Sequence, residues 1–558
     1  MSAQPPAGSP PLPPPASDKA GAGAATRPPC LTPTPVAPPT SIPWLGLVAV
    51  LMGTFISTLN GRLSSFGLAD IRGAVGAGFD EGAWITTAQT VAQMFVTLLA
   101  IWMGAAFGPR RVLVGTSLGF ALVSLLTPFA STLPALLVMQ FLNGCTSGFF
   151  IPLTLSFILR NMPPKYWAYG IALYALNLEL SLNISASLEG YYLEHLSWRW
   201  IFWQNVPLAL IMTVCLRAGI AAGSPPPTQR PPFDRFGLLT GGAGLALLYA
   251  ALDQGNRLDW LNSGLIWGLL CGAVVLLVGF VVHERVTSHP ILNLSFALSA
   301  PIPGLFVLIA FLRLTILATS FLIPQYLGSV RGFRSLEVGE TLVWIAAPQL
   351  IICPFAALIL RRMDARILAC VGLILISVAC LMVAYSLTPI WGSTQFLPSG
   401  LLQAVGQSFA LSGVIFFGIQ HLKIEEALTF GGVLQIARLM GGEIGTAFVA
   451  TWTRVREQVA SNLIGQHVRI GGADAIARIH AYGSVTSRAF DPGGDALRGE
   501  AVLGNAVRAA ATTQAVMDGF VAIGFMAALA LLFVLYRSGA PQGPASPPPL
   551  FPLRTRTP

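Results

Sequence analysis

The chain has 558 residues, 54% of them hydrophobic and only 10% charged, with a formal net charge of +9. Soluble domains carry about a quarter of their residues as charges, so this composition excludes one and directs most of the surface to lipid or to other apolar segments. Apolar runs of about 18 to 25 residues, each able to cross roughly 30 Å of hydrocarbon as a helix, recur from Trp44 to Tyr536, which excludes a single anchor or a cleaved leader.

In chain order, residues 1–43 are rich in Pro, Ala, Gly and Ser and almost free of aromatic residues. They cannot bury enough apolar area to offset the entropy of ordering, so a disordered cytoplasmic tail is expected there. Apolar runs then fall near 44–66, 84–106, 111–129, 133–159, 166–193, 200–217, 236–252 and 263–282, and again near 303–327, 338–360, 366–386, 394–418, 427–452 and 514–536. The count is fourteen. Residues 538–558 form a second tail, also expected to be disordered.

Lys and Arg in the short links set the orientation. One side carries Arg110, Arg111, Arg160, Lys165, Arg217, Arg230, Arg235, Arg285, Arg361, Arg362, Arg366 and Lys423; the other carries Arg72, Arg199, Arg257, Arg331 and Arg334. The positive-inside rule places the first set, and with it both termini, in the cytoplasm. Dispersed through links in this way, the positive charge reads as topology and implies no nucleic-acid partner. Cys145, Cys215, Cys271, Cys353, Cys370 and Cys380 all lie within apolar runs and Cys30 in the tail. No disulfide or metal spacing results, and no metal or cofactor is expected.

The link GPRRVL at 108–113 is echoed by RRMDARIL at 361–368. The fold expected is therefore an all-α membrane protein of two six-helix bundles, at 44–217 and 303–537, with two further transmembrane helices inserted in 218–302. The longest exported segment, 453–513, has Val455, Val459 and Leu463, then Leu503 and Val507, at helical intervals around a Gly, Asp and Ser-rich middle. This reads as a helical hairpin extending the last two spans, with a mobile loop as the alternative.

The motif LSWRWIFWQNVPL, Leu196 to Leu208, enters the sixth span, and GAWITTAQTVAQ (82–93), LNGCTSGFFIPLTLS (142–156), LDQGNRLDW (252–260), HPILNLSF (289–296) and ARLMGGEIGTAF (437–448) accompany it. Over residues 44–537 the chain resembles the fourteen-span drug:proton antiporters of the major facilitator superfamily, the EmrB and QacA type. The resemblance implies a major facilitator fold, no enzymatic activity, and proton-driven export of small amphipathic or drug-like molecules across the cell inner membrane. The long loop 453–513 resembles that of the EmrB branch, whose members pair with a periplasmic adaptor and an outer-membrane channel.

The chain departs from that family at its usual charged positions. Where the first span normally carries an Asp, it reads LNGRLSSFGLA (59–69), with Asn60 at the acid's place and Arg62 two residues on. Arg62 is open to three readings: pairing with an acid of another helix, attracting an anionic substrate, or snorkelling from a frayed helix end. The fourth span places Gln140 where the family has an Arg, and Gln holds no charge. The fifth-span signature ending GPxxGG becomes Ser185, Ala186, Ser187, Leu188, Glu189, Gly190.

Charges inside spans are costly, about 2.5 to 3.5 kcal/mol each on insertion scales, and mark function or pairing. Proton antiport asks for a carboxyl that is neutral facing one side and ionised facing the other. Glu179, deep in the fifth span, is the leading candidate, against a structural ion pair with Arg62 or Arg313. Glu189 stands nearer the exported end, as a functional or merely solvated group. Arg438 and Glu443, five residues apart in the thirteenth span, face different directions; Arg438 is a candidate for substrate binding, gating or structural pairing. In the links, Gly108, Arg110 and Arg111, and Asp364 with Arg361, Arg362 and Arg366, are candidate gating residues, with Ala105 replacing the family's Asp. Trp84, Phe149, Phe150, Phe321, Tyr326, Trp344, Phe416 and Phe417 are candidate cavity aromatics. An organic-anion or natural-product exporter with weak or no proton coupling, and a non-transporting membrane scaffold or sensor, are the rival readings.

Overall fold

The computed structural model describes residues 43–536 except 221–230, 293, 299–301, 423, 467, 469–471 and 487–494. The expected tails, apart from Pro43, lie outside the described residues, as do Cys30, Arg230 and Lys423. Hydrocarbon offers no partner for backbone N–H and C=O groups, so spans of this composition satisfy them internally as helices.

Fourteen helices among the described residues are long and apolar enough to cross a membrane. They are α1 Trp44–Phe66, α2 Phe79–Phe107, α3 Pro109–Phe129, α4 Leu133–Asn161, α5 Pro164–His195, α6 Trp200–Gly219 and α7 Arg235–Gly255. Then come α8 Gly264–Val286, α9 Ile302–Arg331, α10 Ser335–Leu360, α11 Ala365–Ser386, α12 Thr394–Ile419, α13 Ala427–Gly465 and α14 Leu497–Tyr536.

Local chemistry sets several boundaries. Gly108, at φ +81°, makes the turn between α2 and α3, a conformation that side chains with a Cβ rarely adopt, and Pro109 opens α3. Asp364 caps α11 by accepting from the Arg366 amide at 2.9 Å, and Asp234 caps α7 by accepting from the Gly237 amide at 2.9 Å. Helix α13 has 39 residues, about 58 Å at 1.5 Å per residue, close to twice the hydrocarbon thickness. It therefore runs on well past the apolar stretch at 427–452. The last helix begins at Asp495, and a separate helix, Ala473–Thr486, lies between the two.

Helices α1 to α6 pack on one another, as do α9 to α14. The two sets meet where α5 lies along α10 and α12, and where α2 and α4 meet α13. The α5–α10 crossing is very close: a Cβ at Gly190 would stand 2.4 Å from the Leu336 amide nitrogen, and one at Gly339 2.5 Å from the Ser187 backbone. Helix α7 packs on α2, α8 and α13. On α8, Val274, Val275, Val278 and Val282 are all exposed, an apolar stripe suited to lipid.

Candidate functional site

Glu179 sits near the midpoint of α5 and Arg313 twelve residues into α9. Their side chains are 0% and 2% exposed, and the Arg313 Nη1 donates to Glu179 Oε1 at 2.7 Å. Each helix belongs to a different packed set, so this buried ion pair joins the two halves at mid-depth. It is a single-point contact, since Glu179 Oε2 and Arg313 Nε find no protein hydrogen-bond partner. A bidentate fork would hold the pair more firmly. Arg438 on α13 is buried nearby, its charge acting on Glu179 and Tyr174, and its Nε donates to Gln435 Oε1 at 3.0 Å.

One turn beyond Glu179, Asn183 opens a chain of buried amides. Its Nδ2 donates to Gln407 Oε1 at 3.3 Å and Gln349 Oε1 at 3.4 Å, and Gln349 Nε2 donates to Gln407 Oε1 at 3.2 Å. Gln407 Nε2 continues to Gln403 Oε1 at 3.2 Å. Spans α5, α10 and α12 are tied by these groups, which amide-bearing sequence alone does not announce.

Asn60 and Gln140 belong to the first half only. Asn60 Oδ1 accepts from Asn205 Nδ2 at 2.6 Å, while Gln140 makes a long 3.5 Å contact to Ser64. Arg62 is not at a frayed end: α1 continues to Phe66, and the guanidinium lies over the Phe66 ring, 5.2 Å from its centroid. The guanidinium also lies within electrostatic reach of Arg313, Tyr249 and Glu443. Glu189 is fully buried beside Ser335 and not merely solvated, because the close α5–α10 crossing covers it.

Glu443 and Arg438 do point apart. Glu443 Oε2 accepts from the Tyr249 hydroxyl of α7 at 2.8 Å, and Asp253, one turn on, accepts from the Thr87 hydroxyl of α2 and from Gln254 Nε2 at 3.0 Å. Sequence reading missed Asp253 because it ended that run at residue 252. Its i, i+4 spacing from Tyr249, on a face with few other polar groups, is the signal that finds it.

The link residues act locally and across the halves. Arg110 Nη2 donates to the Arg217 carbonyl at 2.9 Å and stays within the first half, and Arg111 is exposed. Arg366 pairs with Asp364 at 2.8 Å, and Arg362 is exposed. Contacts across the halves come from Arg361, whose Nη1 donates to the Tyr169 hydroxyl at 2.9 Å, and from Arg160, whose Nη2 reaches the Glu425 carbonyl at 3.5 Å.

A cavity of about 500 Å³ opens between α1, α5 and α10, lined by Trp44, Leu47, Tyr166, Tyr169, Pro354 and Arg361 among others. Of the aromatics singled out in the sequence, none lines it; Phe150, Tyr326, Phe416 and Phe417 are buried in the packed core. Trp84 lines a shallower groove of about 350 Å³ with Phe141 and Leu142.

Residues 50–446 match the Major Facilitator Superfamily model. The multidrug export protein EmrB of Haemophilus influenzae is 24% identical over 430 residues, 75% of this chain and 82% of that protein. EmrB of Escherichia coli (strain K12) is 26% identical over 413 residues, covering 73% and 79%. The fatty acid resistance protein FarB of Neisseria gonorrhoeae is 23% identical over 436 residues, covering 77% and 84%. In three dimensions the chain is similar to the human organic anion transporter MFSD10 (TETRAN), with a TM-score of 0.53 at 14% identity over 89% of this chain and 100% of that one. It is also similar to the proton:xylose symporter XylE, with a TM-score of 0.54 at 11% identity over 89% and 96%.

Proposed function

This chain belongs to the Major Facilitator Superfamily, and we propose that it is a secondary active exporter of small amphipathic or drug-like molecules, driven by proton antiport through alternating access. The observation that carries the reading is the Glu179–Arg313 ion pair, buried at mid-depth between the two halves. Protonating Glu179 removes one charge of the pair and with it the attraction that holds α5 to α9 there. An ionised Glu179 re-forms the pair. A single-point contact between halves that rock past each other is suited to such a cycle. The similarity to multidrug export proteins supports the cargo class.

The rest of the reading follows that frame. The protein resides in the cell inner membrane with both termini cytoplasmic, its six-helix bundles at 44–217 and 303–537 and its inserted pair in 218–302. Arg438, Arg62, Glu189 and Glu443 are the further intramembrane candidates for coupling or substrate contact, and Asn60 and Gln140 stand as uncharged replacements in the first half. Arg361 and Arg160 latch the cytoplasmic ends. The helical extensions within 453–513 supply a docking surface for a periplasmic adaptor and, through it, an outer-membrane channel.

A second reading, export of organic anions with weak or no proton coupling, is favoured by three buried or half-buried arginines within the spans, Arg62, Arg313 and Arg438. Accumulation of lipophilic cations and aromatic acids in efflux-deficient cells, with and without a protonophore, separates the two. Export of cations abolished by protonophore and by Glu179→Gln supports antiport. Protonophore-resistant export of the acids supports the second reading, and no flux of any compound together with a stable protein partner supports a scaffold or sensor.

A further inference from the structure

Outside the Glu179–Arg313 pair, the most developed cluster of titratable groups lies where the inserted helix α7 meets both halves. Asp253 and Glu443 are within electrostatic reach of one another, on α7 and α13. Tyr249, one turn before Asp253 on α7, donates its hydroxyl to Glu443 at 2.8 Å and also neighbours Thr90 of α2. The charged groups facing the two acids are few: Arg62 of α1 acts on Glu443, and Arg257, in the turn after α7, on Asp253. Helix α2 presents hydroxyls, Thr87 and Thr90.

A continuous line of polar groups leads from this cluster to the surface. Asp253 accepts from Thr87, and Gln254 Nε2 donates to Thr87 at 2.6 Å. Arg257 Nε donates to Gln254 Oε1 at 2.8 Å, and Arg257 pairs at 2.6 Å with Asp80, whose side chain is 79% exposed. Two carboxylates that face each other in a poorly solvated site repel, and one added proton relieves that repulsion for both, so such groups titrate as a pair. Because α7 bonds to α2 through Thr87 and to α13 through Glu443, the protonation state of the pair bears on how the two halves are held together.

We propose that Asp253 and Glu443, with Tyr249 beside them, form a second proton-binding site that is reached from the Asp80 end and couples proton binding to the α2–α7–α13 contact. The site rests on the reading of the chain as a proton-driven exporter and extends it: the inserted helix takes part in coupling. A proton arriving at the pair binds one carboxylate oxygen and leaves one neutral and one ionised carboxyl; no other bond changes.

The test has two arms on the full chain. In the first, the purified protein in nanodiscs is titrated while the protonated-carboxyl C=O band is followed by infrared difference spectroscopy. The band belonging to this pair is isolated as the difference between the wild type and the Asp253→Asn, Glu443→Gln double variant. The expected result is two steps that collapse, in Asp253→Asn and in Glu443→Gln alone, to a single step at a pH that neither wild-type step occupies. Asp253→Glu keeps the charge, retains two steps and shows that the site tolerates substitution. Variants that each delete one step and leave the other in place overturn the proposal, since the groups then titrate independently. In the second arm, ethidium export from proteoliposomes is measured against imposed pH gradients. Asp253→Asn is expected to shift the pH profile by at least tenfold in proton concentration. Unchanged titration and an unchanged profile in both variants overturn the second site alone. A wild type that moves no ethidium yet titrates as a pair counts against the exporter reading and supports the site.

Discussion

Removing the charge of Glu179 exposes what the central pair contributes. In Glu179→Gln the Arg313 guanidinium, 2% exposed, loses its counter-charge while keeping an amide oxygen to donate to. Breaking a buried pair by removing one partner costs about 3 to 5 kcal/mol, and the retained hydrogen bond to a charged group returns about 1.5 kcal/mol or more. A net loss of roughly 1.5 to 3.5 kcal/mol is therefore expected for Glu179→Gln. Arg313→Gln should cost a similar amount, because it strands the carboxylate. The double variant removes both charges and should cost less than the sum of the singles by about 2 kcal/mol or more, the signature of a direct interaction. Reversible unfolding in mixed micelles measures the cycle, and ethidium transport in proteoliposomes is read on the same four proteins. Coupling by the pair predicts that the double variant regains stability without regaining pH-gradient-driven export. Additive stabilities, or a double variant whose export still follows the pH gradient, would refute the reasoning.

Tyr249→Phe removes the hydroxyl that donates to Glu443 and should cost about 1.5 to 3 kcal/mol, the range for a hydrogen bond to a charged acceptor, read in the same micelle assay. Gly339→Leu places a side chain where a Cβ alone would stand 2.5 Å from the Ser187 backbone; α5 and α10 should part there, and cysteine labelling at Ser187→Cys should rise several-fold. Arg361→Ala removes the contact to Tyr169 and should raise labelling of a cysteine at Tyr166 while changing stability by about 1 kcal/mol or less, as for other exposed pairs. Asp259, hydrogen-bonded by Asn262 and paired with Arg454, has its carboxyl held below the usual carboxylate range. A depressed folded-state value means the contact is fully present above the ordinary carboxylate pKa of about 4 and is lost only as pH falls through the lower, folded value. Spin-label distances between exposed Leu261 and Val455 should therefore hold steady from neutral pH to about 4, and lengthen below it.

The spans were legible because hydrocarbon demands a long unbroken apolar run, and each run here leaves that imprint on composition. Their true lengths were less so: past Trp452 the α13 sequence turns polar, and what keeps it helical to Gly465 is packing against α14, a long-range fact. Glu179 stood out as a lone acid in an apolar run, but its choice of Arg313 over Arg62 depends on how α9 is set against α5. Asn183, Gln349 and Gln407 carried no warning, since an amide in an apolar helix looks the same whether it meets another amide or a glycine. Asp253 was lost to a boundary drawn one residue early, and Arg110, marked by the echo between links, bonds within its own half while Arg160 and Arg361 reach across.

A body made of two similar halves has two seams along its flanks, and the inserted helices make these seams unequal. One is occupied by α7, which bonds to α2 and α13 and carries α8 as an outer wall. At the other α5 crosses α10 closely, and among the described residues no inserted helix lies over it; Trp44, 63% exposed, stands at the edge of the cavity between α1, α5 and α10. Among the described residues the inserted pair thus thickens one seam while the halves meet directly at the other, so the two flanks offer the surrounding lipid different surfaces.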